Sequence, residues 1–309
     1  MKRNPRLVLG ETLASIAHEN QRVLAVSCDS ASGSGMKPFL DTFPDRYIEI
    51  GISEQNAIDV CVGLSLNGFI PVVSAIAPFI SMRCYEQIRN DVGYSKTNVK
   101  IIGSSSGISQ SQLGSSHMAV EDIAVMNSIP NLTIINPGDP FEVEMALRKS
   151  IEIEGPVYIR MIRHAVDDIA PRENRQFQLD KAEVLSDGED IMLFSTGVMT
   201  AEAIEAARLL NENGVSAGVV NFPVVKPLDA GIVFKYAKAV KHLVTIEEHS
   251  VTGGFGSIAA QALAAEKDTA PLHIIGIPEG AVSTGPYREL LESYGLTGRE
   301  LYKRISSYL

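Results

Sequence analysis

The 309 residues of this chain are 45% hydrophobic and 21% charged, a composition that can bury the cores of two domains of ordinary size. A formal net charge of -10 disfavours nonspecific binding to nucleic acid or to an anionic membrane, because either surface would repel the protein. No stretch approaches the roughly 18 apolar residues of a membrane span, and the three cysteines are too dispersed for a disulfide framework, so we expect a cytoplasmic protein.

Apolar strands alternate with helices along the first half of the chain. Ala57, Ile58 and Cys61, for example, recur at helical spacing and form one apolar face. The alternation predicts an α/β domain with a parallel sheet over residues 1–170. The predicted strands are 23–27, 46–52, 69–75, 99–104, 132–135 and 157–161, and the predicted helices are 6–20, 54–67, 78–91, 121–128 and 140–152.

A polar segment separates this half from a second one with the same layered pattern. Residues 163–176 contain Pro171 and little apolar periodicity, which is typical of a linker. Beyond it, residues 177–309 predict a smaller α/β domain, so we expect two three-layer α/β/α domains in all. Its predicted strands are 191–195, 216–221, 243–247 and 272–277, and its predicted helices include 200–213, 256–266 and 297–308.

Two loops rich in serine and glycine follow predicted strands. Residues 28–35 lie at the carboxyl end of the first strand, where open α/β sheets bind ligands, although a plain surface loop is the alternative. Residues 104–117 form a longer loop that lacks charge and ends at His117. A loop of that length inside a compact domain is more often functional than accidental.

Glu54 lies where a predicted turn and strand lead into a helix. Pro44 fixes the turn, and Ser53 is placed to cap the helix that Glu54 begins. An acidic residue in the first helical turn is common, because it complements the helix dipole. A buried functional carboxylate is the alternative, and the residue types alone leave both open.

Four segments, in order, resemble the C-terminal half of transketolase, and the likeness covers essentially the whole chain. This half consists of a pyrimidine-binding domain followed by a smaller C-terminal domain. The resemblance implies thiamine diphosphate as cofactor, yet the chain lacks the Gly-Asp-Gly with its later Asn that holds the diphosphate through Mg²⁺. It therefore implies a separate N-terminal subunit, in a heterotetramer with two copies of each chain. The four segments are 44–56, 79–89, 114–139 and 247–257.

The resemblance also implies cofactor contacts. Glu54 is similar to the glutamate that bonds the aminopyrimidine ring and promotes its imino form. Phe79 and Tyr85 are candidates to hold that ring between aromatic faces, with Arg83 close to the cofactor or the substrate. Met82 stands where transketolase has a stacking phenylalanine, and a thioether can pack on a ring as well. For Phe79, burial in the core is the alternative.

Two residues resemble substrate contacts. His117 is placed to bond a sugar hydroxyl or a developing alkoxide, with a solvated loop histidine as the alternative. Arg163 falls where transketolase places an arginine on the phosphate of the acceptor, and a linker salt bridge is its alternative. We expect Arg160 and His249 to be structural, and the Gly-Gly-Phe-Gly segment at 253–256 to serve close backbone packing and subunit contact.

The family pattern is broken at Leu113, where an aspartate normally reads a sugar hydroxyl, and at Met118, where glutamine is usual. These changes predict a ketose donor other than xylulose 5-phosphate, with a phosphate or another anionic terminus. The implied reaction is transfer of a two-carbon ketol unit to an aldose. Two alternatives are an E1β subunit of a 2-oxoacid dehydrogenase and a non-catalytic scaffold subunit, although the presence of Glu54 argues against the scaffold.

Overall fold

The structure, a computed structural model, describes residues 2–280 and 283–309. No helix in these two ranges combines the length and the apolar character needed to cross a bilayer. The strands are β1 (Val23–Ser27), β2 (Tyr47–Glu49), β3 (Ile70–Ile76), β4 (Lys100–Ser104), β5 (Thr133–Ile135), β6 (Val157–Met161), β7 (Glu183–Ser186), β8 (Ile191–Ser195), β9 (Ala217–Asn221), β10 (Val224–Lys226), β11 (His242–Ser250) and β12 (Leu272–Ile277).

Helices flank both sheets on their faces. Most of them follow a strand and return the chain to the start of the next parallel strand. The helices are α1 (Pro5–Glu19), α2 (Lys37–Thr42), α3 (Glu54–Leu66), α4 (Tyr85–Gln87), α5 (Asp122–Asn127), α6 (Pro140–Glu152), α7 (Met199–Glu212), α8 (Ala230–Ala237), α9 (Phe255–Leu263), α10 (Tyr287–Ser293) and α11 (Gly298–Ser306).

The first sheet has the order β10-β5-β6-β4-β3-β1-β2. All its neighbours pair in parallel except β10, which runs antiparallel to β5 with Val224 opposite Ile135. This strand comes from the second half of the chain, and Lys226 Nζ ties it to the first half by donating to the carbonyls of Asn127 and Ile129 at 2.7 and 2.6 Å. The second sheet has the order β12-β11-β8-β9-β7, parallel except for β7.

One hydrophobic core contains residues from both halves of the chain. Ile58 and Ile101 of the first half belong to one buried cluster with Phe194 and Phe222 of the second. Another cluster fills the opposite face of the first sheet beneath α1 and α6. The expected α/β fold with two sheets is confirmed, and the halves pack as one body.

Some predicted strands and helices have the wrong ends, and some observed ones were not predicted. The strand predicted at 46–52 is longer than the observed strand β2, Tyr47–Glu49. The strand ends there because the Glu49 carboxylate turns back to accept from the Gly51 amide at 2.9 Å. The predicted helix at 78–91 is π-helical at Phe79–Arg83 and at Ile88–Tyr94. In the first of these segments the Ser81 hydroxyl donates to the Ala77 carbonyl, which disturbs the regular backbone hydrogen bonding of an α-helix. The missed elements are α2, β7, β10 and α8.

The segment predicted as a linker contains a buried ionic anchor. Arg175 is 8% exposed and bonds Asp139 and Glu142 of the first half, each at 2.5 Å, and Glu183 of the second half at 2.8 Å. Polarity in this stretch therefore reflects a buried ion cluster as well as solvent exposure. The two halves are joined by charge in addition to their shared core.

Candidate active site

The predicted site segments all lie at the carboxyl edge of the first sheet. The 28–35 loop follows β1, and Glu54 follows β2. Phe79 follows β3, the 105–117 loop follows β4, and Arg163 follows β6. Since these strands are parallel neighbours, their carboxyl ends deliver the side chains to one rim, the usual ligand edge of an open α/β sheet.

Glu54 begins α3 and is 5% exposed. The expected cap is absent, because the Ser53 side chain makes no capping hydrogen bond. One carboxylate oxygen, Oε2, accepts from Arg83 Nη1 at 2.7 Å. The other, Oε1, has no hydrogen-bond partner in the described parts of the chain, so Glu54 keeps an acceptor for a ligand.

Three further residues connect to Glu54. Arg83 places its Cζ 4.4 Å from the centre of the Phe79 ring while it pairs with Glu54. Phe79 in turn meets the His117 ring edge to face, with centroids 5.2 Å apart. Glu54, Arg83, Phe79 and His117 therefore form one continuous cluster, although Glu54 and His117 are far apart in sequence.

Met82 and Tyr85 belong to the same helical segment but not to that chain of contacts. Met82 is half-buried. Tyr85 packs against the core and shares a hydrogen bond with Ser128 at 2.9 Å. The π-helical turn at Phe79–Arg83, a geometry often found at functional sites, presents Phe79 and Arg83 on the side of Glu54.

Two thiols close to Glu54 are held neutral. Burial, and then the Glu54 charge, raises the pKa of Cys28 to about 12. The same two causes raise the pKa of Cys84 to about 12. A neutral buried thiol is a poor nucleophile, so neither cysteine competes with Glu54 and His117 as the chemical group of this site.

Arg163 lines a cleft of about 240 Å³ beside residues 109–113 of the 105–117 loop. Gln110, Leu113, His164 and Tyr287 also line the cleft. No described residue forms a hydrogen bond or an ion pair with Arg163, so the alternative of a linker salt bridge is not what the structure shows. The guanidinium faces an open space that can hold an anion.

Three buried nitrogen atoms in or near this cleft have no hydrogen-bond partner among the described residues, and no local sequence pattern predicts them. Gln110 Nε2 and His164 Nε2 belong to residues that line the cleft. The third is Nε of Arg6, which lines a neighbouring pocket and donates from Nη1 to the Gly33 carbonyl. Burial, then the neighbouring charge of Arg163, lowers the pKa of Arg6. Buried polar groups are nearly always paired in folded proteins, so these atoms leave hydrogen-bonding capacity at and beside the cleft.

Leu113 and Met118, the two departures from the family pattern, have different surroundings. Leu113 is 58% exposed and borders the Arg163 cleft, and its effect on recognition stays a prediction. Met118 is 2% exposed and packs with Ile108 in the core of the second half. The expectation that Met118 changes substrate contacts is therefore wrong, because its apolar side chain is used for packing.

Arg160 and His249 are structural, as predicted. Arg160 Nε lies 3.0 Å from both oxygens of the buried Asp122. Burial lowers the pKa of His249 to about 4, and its neutral Nε2 accepts from the Ala124 amide at 3.3 Å. The predicted close backbone packing is confirmed at Gly254, where an added Cβ would collide with Glu247 Oε2.

The cluster is chemically suited to a flat heterocycle. A buried carboxylate with a free oxygen, beside an aromatic ring, suits a flat heterocycle with a ring nitrogen. Diphosphate and a divalent cation need other groups. Within residues 2–280 and 283–309, no group of three or more histidine, cysteine or acidic side chains could hold a metal ion.

Comparison with known families divides the chain into two matched regions. Residues 2–167 match the family model "Transketolase, pyrimidine binding domain". Residues 180–301 match "Transketolase, C-terminal domain". The expected boundaries, 1–170 and 177–309, stay a prediction in their details.

Individual relatives agree with these matches. The 6-deoxy-6-sulfo-D-fructose transketolase subunit SqwH of Clostridium sp. is 36% identical, over 95% of this chain and 90% of that protein. A subunit of the apulose-4-phosphate transketolase of Phocaeicola vulgatus is 33% identical, over 97% and 95%. A solved split gene transketolase, an inactive beta4 tetramer, superimposes with a TM-score of 0.90 at 35% identity, covering 98% of this chain and 97% of that one.

Proposed function

Since this chain belongs to the transketolase family as a subunit of a split enzyme, we propose that it supplies half of a thiamine diphosphate-dependent active site. The reaction is transfer of a two-carbon ketol unit from a ketose with an anionic terminus to an aldose. The observation that carries the proposal is the contact chain from Glu54 through Arg83 and Phe79 to His117, at the ligand edge of the first sheet.

Glu54 is the residue on which the chemistry depends. Thiamine diphosphate, when bound, supplies a carbon that stabilises the carbanion left by cleavage of the ketose. When the cofactor is bound, Glu54 Oε1 would form a hydrogen bond with the far nitrogen of the aminopyrimidine and so favour the imino form that serves as base. Arg83 donates a hydrogen bond to the other oxygen of Glu54, Oε2, and so orients the carboxylate. Phe79 would lie against one face of the ring, and Met82 and Tyr85, which lie outside the contact chain, would complete its surroundings only from the same helical segment.

The 105–117 loop and Arg163 handle the sugar. His117 bonds a hydroxyl or the developing alkoxide near the cofactor, while Arg163 binds the anionic terminus. Leu113 removes an acceptor for a sugar hydroxyl, which favours a donor other than xylulose 5-phosphate. The relatives support this assignment, since one is a sulfofructose transketolase subunit and another belongs to an apulose-4-phosphate transketolase.

The partner subunit completes the site. A separate N-terminal chain holds the diphosphate and Mg²⁺ or a similar cation, in a cytoplasmic heterotetramer with two copies of each chain. Support comes from the sequence, which lacks the diphosphate-binding motif, and from the solved relative, which is inactive as a beta4 tetramer.

Reconstitution tests the proposed function. The chain alone should show no ketol transfer, and adding the diphosphate-binding subunit with thiamine diphosphate and Mg²⁺ should produce it. Among donors, 6-deoxy-6-sulfo-D-fructose should exceed xylulose 5-phosphate in kcat/KM by roughly 10-fold or more, the effect of one unpaired polar contact. Efficient turnover of xylulose 5-phosphate would count against the donor, and inactivity of the complex with every ketose would count against the function.

Arg163→Met should raise KM for 6-deoxy-6-sulfo-D-fructose by roughly 30-fold or more, because loss of a charge-assisted contact leaves the anion unpaired. Turnover of D-fructose at high concentration should change little, since that sugar has no anion for Arg163. Arg172→Met is the matched control, because Arg172 is a half-buried arginine of the same segment that pairs with Asp168. Equal losses with both sugars would place Arg163 outside the anion site.

A further inference from the structure

The Glu248 carboxylate lies at the junction between the second half of the chain and the 105–117 loop. Glu248 is on β11 and 3% exposed. Its Oε1 accepts from the backbone amide of Ile108 at 2.7 Å, and its Oε2 accepts from the Tyr287 hydroxyl at 2.8 Å. A single side chain of the second half thus holds the base of the loop and the first residue of α10.

The base of the loop is fitted closely to this carboxylate. Gly107 has a φ of 59°, and an added Cβ at this position would collide with Glu248 Oε1, so the contact needs glycine. Gly107 and Ala119 exchange two backbone hydrogen bonds, of 3.1 and 2.9 Å, that close the loop. Ile108 is fully buried in the core of the second half. The loop is therefore anchored at its base.

Both segments that Glu248 holds border the space proposed for the sugar. The loop carries Leu113 to the Arg163 cleft and His117 to Phe79. The Tyr287 ring lines the same cleft and packs against His164, with centroids 4.5 Å apart. A shift of this carboxylate would therefore move two walls of the cleft together.

Charged and polar groups surround the Glu248 carboxylate. Burial, and more weakly the charge of Asp122, raises its pKa to about 6, while Arg160 and the bonds from Ile108 and Tyr287 favour the charged form, which a pH well above 6 favours as well. Burial, then Glu248, raises the pKa of Tyr287 well above its usual value, so the phenol remains a donor. Both hydrogen bonds are then charge-assisted, which makes them stronger than neutral ones.

We propose that Glu248 is a positioning residue for the sugar: without touching it, the carboxylate fixes the 105–117 loop and Tyr287 in the arrangement that the sugar meets. The C-terminal domain thereby takes part in substrate binding. The inference rests on the proposed function, because the sugar is the ligand that these walls receive. The second half of the chain then has a role in positioning the substrate, in addition to any role in cofactor binding or subunit contact.

Glu248→Gln and Tyr287→Phe test the proposal in the reconstituted complex at pH 7.5. Hydrogen exchange of the amides at 107–118 should accelerate roughly 10-fold or more when a charge-assisted bond is weakened. KM for 6-deoxy-6-sulfo-D-fructose should rise by a similar factor, with kcat within about 3-fold of wild type, because the loss falls on substrate binding. Thermal unfolding shows whether each variant is folded.

Glu247→Gln is the matched control. Glu247 is the preceding residue of β11 and equally buried, but its carboxylate accepts from the Phe255 and Gly256 amides at 2.6 and 2.8 Å, away from the loop. This variant should leave loop exchange and KM unchanged. The proposal is overturned if Glu248→Gln leaves loop exchange unchanged, or if Glu247→Gln raises KM equally. Should the complex turn over no ketose, the proposed function fails, while loop exchange still decides whether Glu248 holds the loop.

Discussion

Replacing Glu54 with glutamine should lower kcat of the reconstituted enzyme by about 10³-fold or more, while the chain remains folded. Glutamine keeps the size of the side chain but cannot share a proton with the ring nitrogen, and loss of an acid-base group typically costs 10²–10⁴-fold. The fold should tolerate the change, because the one side-chain hydrogen bond described for Glu54 goes to Arg83, whose side chain is 45% exposed. Steady-state kinetics and thermal unfolding check the two statements.

Asp59→Asn is the control for Glu54→Gln. Asp59 is an exposed carboxylate on the same helix, α3, and its loss changes the charge equally. We expect activity close to wild type in this variant. Full activity in Glu54→Gln, or an equal loss in Asp59→Asn, would remove Glu54 from the mechanism and return it to the simpler role of an acid at a helix start.

Arg175→Met should destabilise the chain by about 3–5 kcal/mol, the largest stability effect that we expect. Methionine fills similar volume but leaves Asp139, Glu142 and Glu183 around an unoccupied centre. Burial, then Asp139, already raises the pKa of Glu142, while the charge of Arg175 and then hydrogen bonds from Gly138 and Asn221 lower it. Without the arginine, these carboxylates must repel each other or take up protons.

Chemical denaturation at fixed protein concentration measures this loss, since subunit association contributes to stability. Arg172→Met is again the matched control, because its ion pairs are about one-third exposed and should contribute no more than about 1 kcal/mol. A loss of under about 1 kcal/mol in Arg175→Met would show that the ion cluster contributes little beyond the core that the two halves share.

Much of the fold was predictable, because long buried elements have strong hydrophobic patterns. The predictions for β1, α6, β6, β8 and β12 match the structure to the residue. Short elements such as β7 and β10 were missed, since three or four residues carry too little periodicity and β10 is defined by its partner β5. The position of Glu54 at the start of α3 was predicted correctly, because the apolar face of that helix is clear.

The contacts of the site were harder to predict, because they join distant parts of the chain. Glu248 meets Ile108 across 140 positions, and Arg83 meets Glu54 across 29. No local pattern encodes such pairs. Arg6 shows the same difficulty: in sequence it is an ordinary basic residue of α1, and its relation to Arg163 exists only once α1 lies beside the 28–35 loop.

The strand exchange at β10 has a consequence for how the chain is made. On the ribosome, β5 is synthesised about 90 residues before β10, and at about 5–20 residues per second the delay is on the order of 5–20 s. During that time β5 has a free edge, and free edges attract other strands. The first domain therefore cannot complete its sheet as an independent nascent unit, and translation must pass Lys226 before that edge is protected.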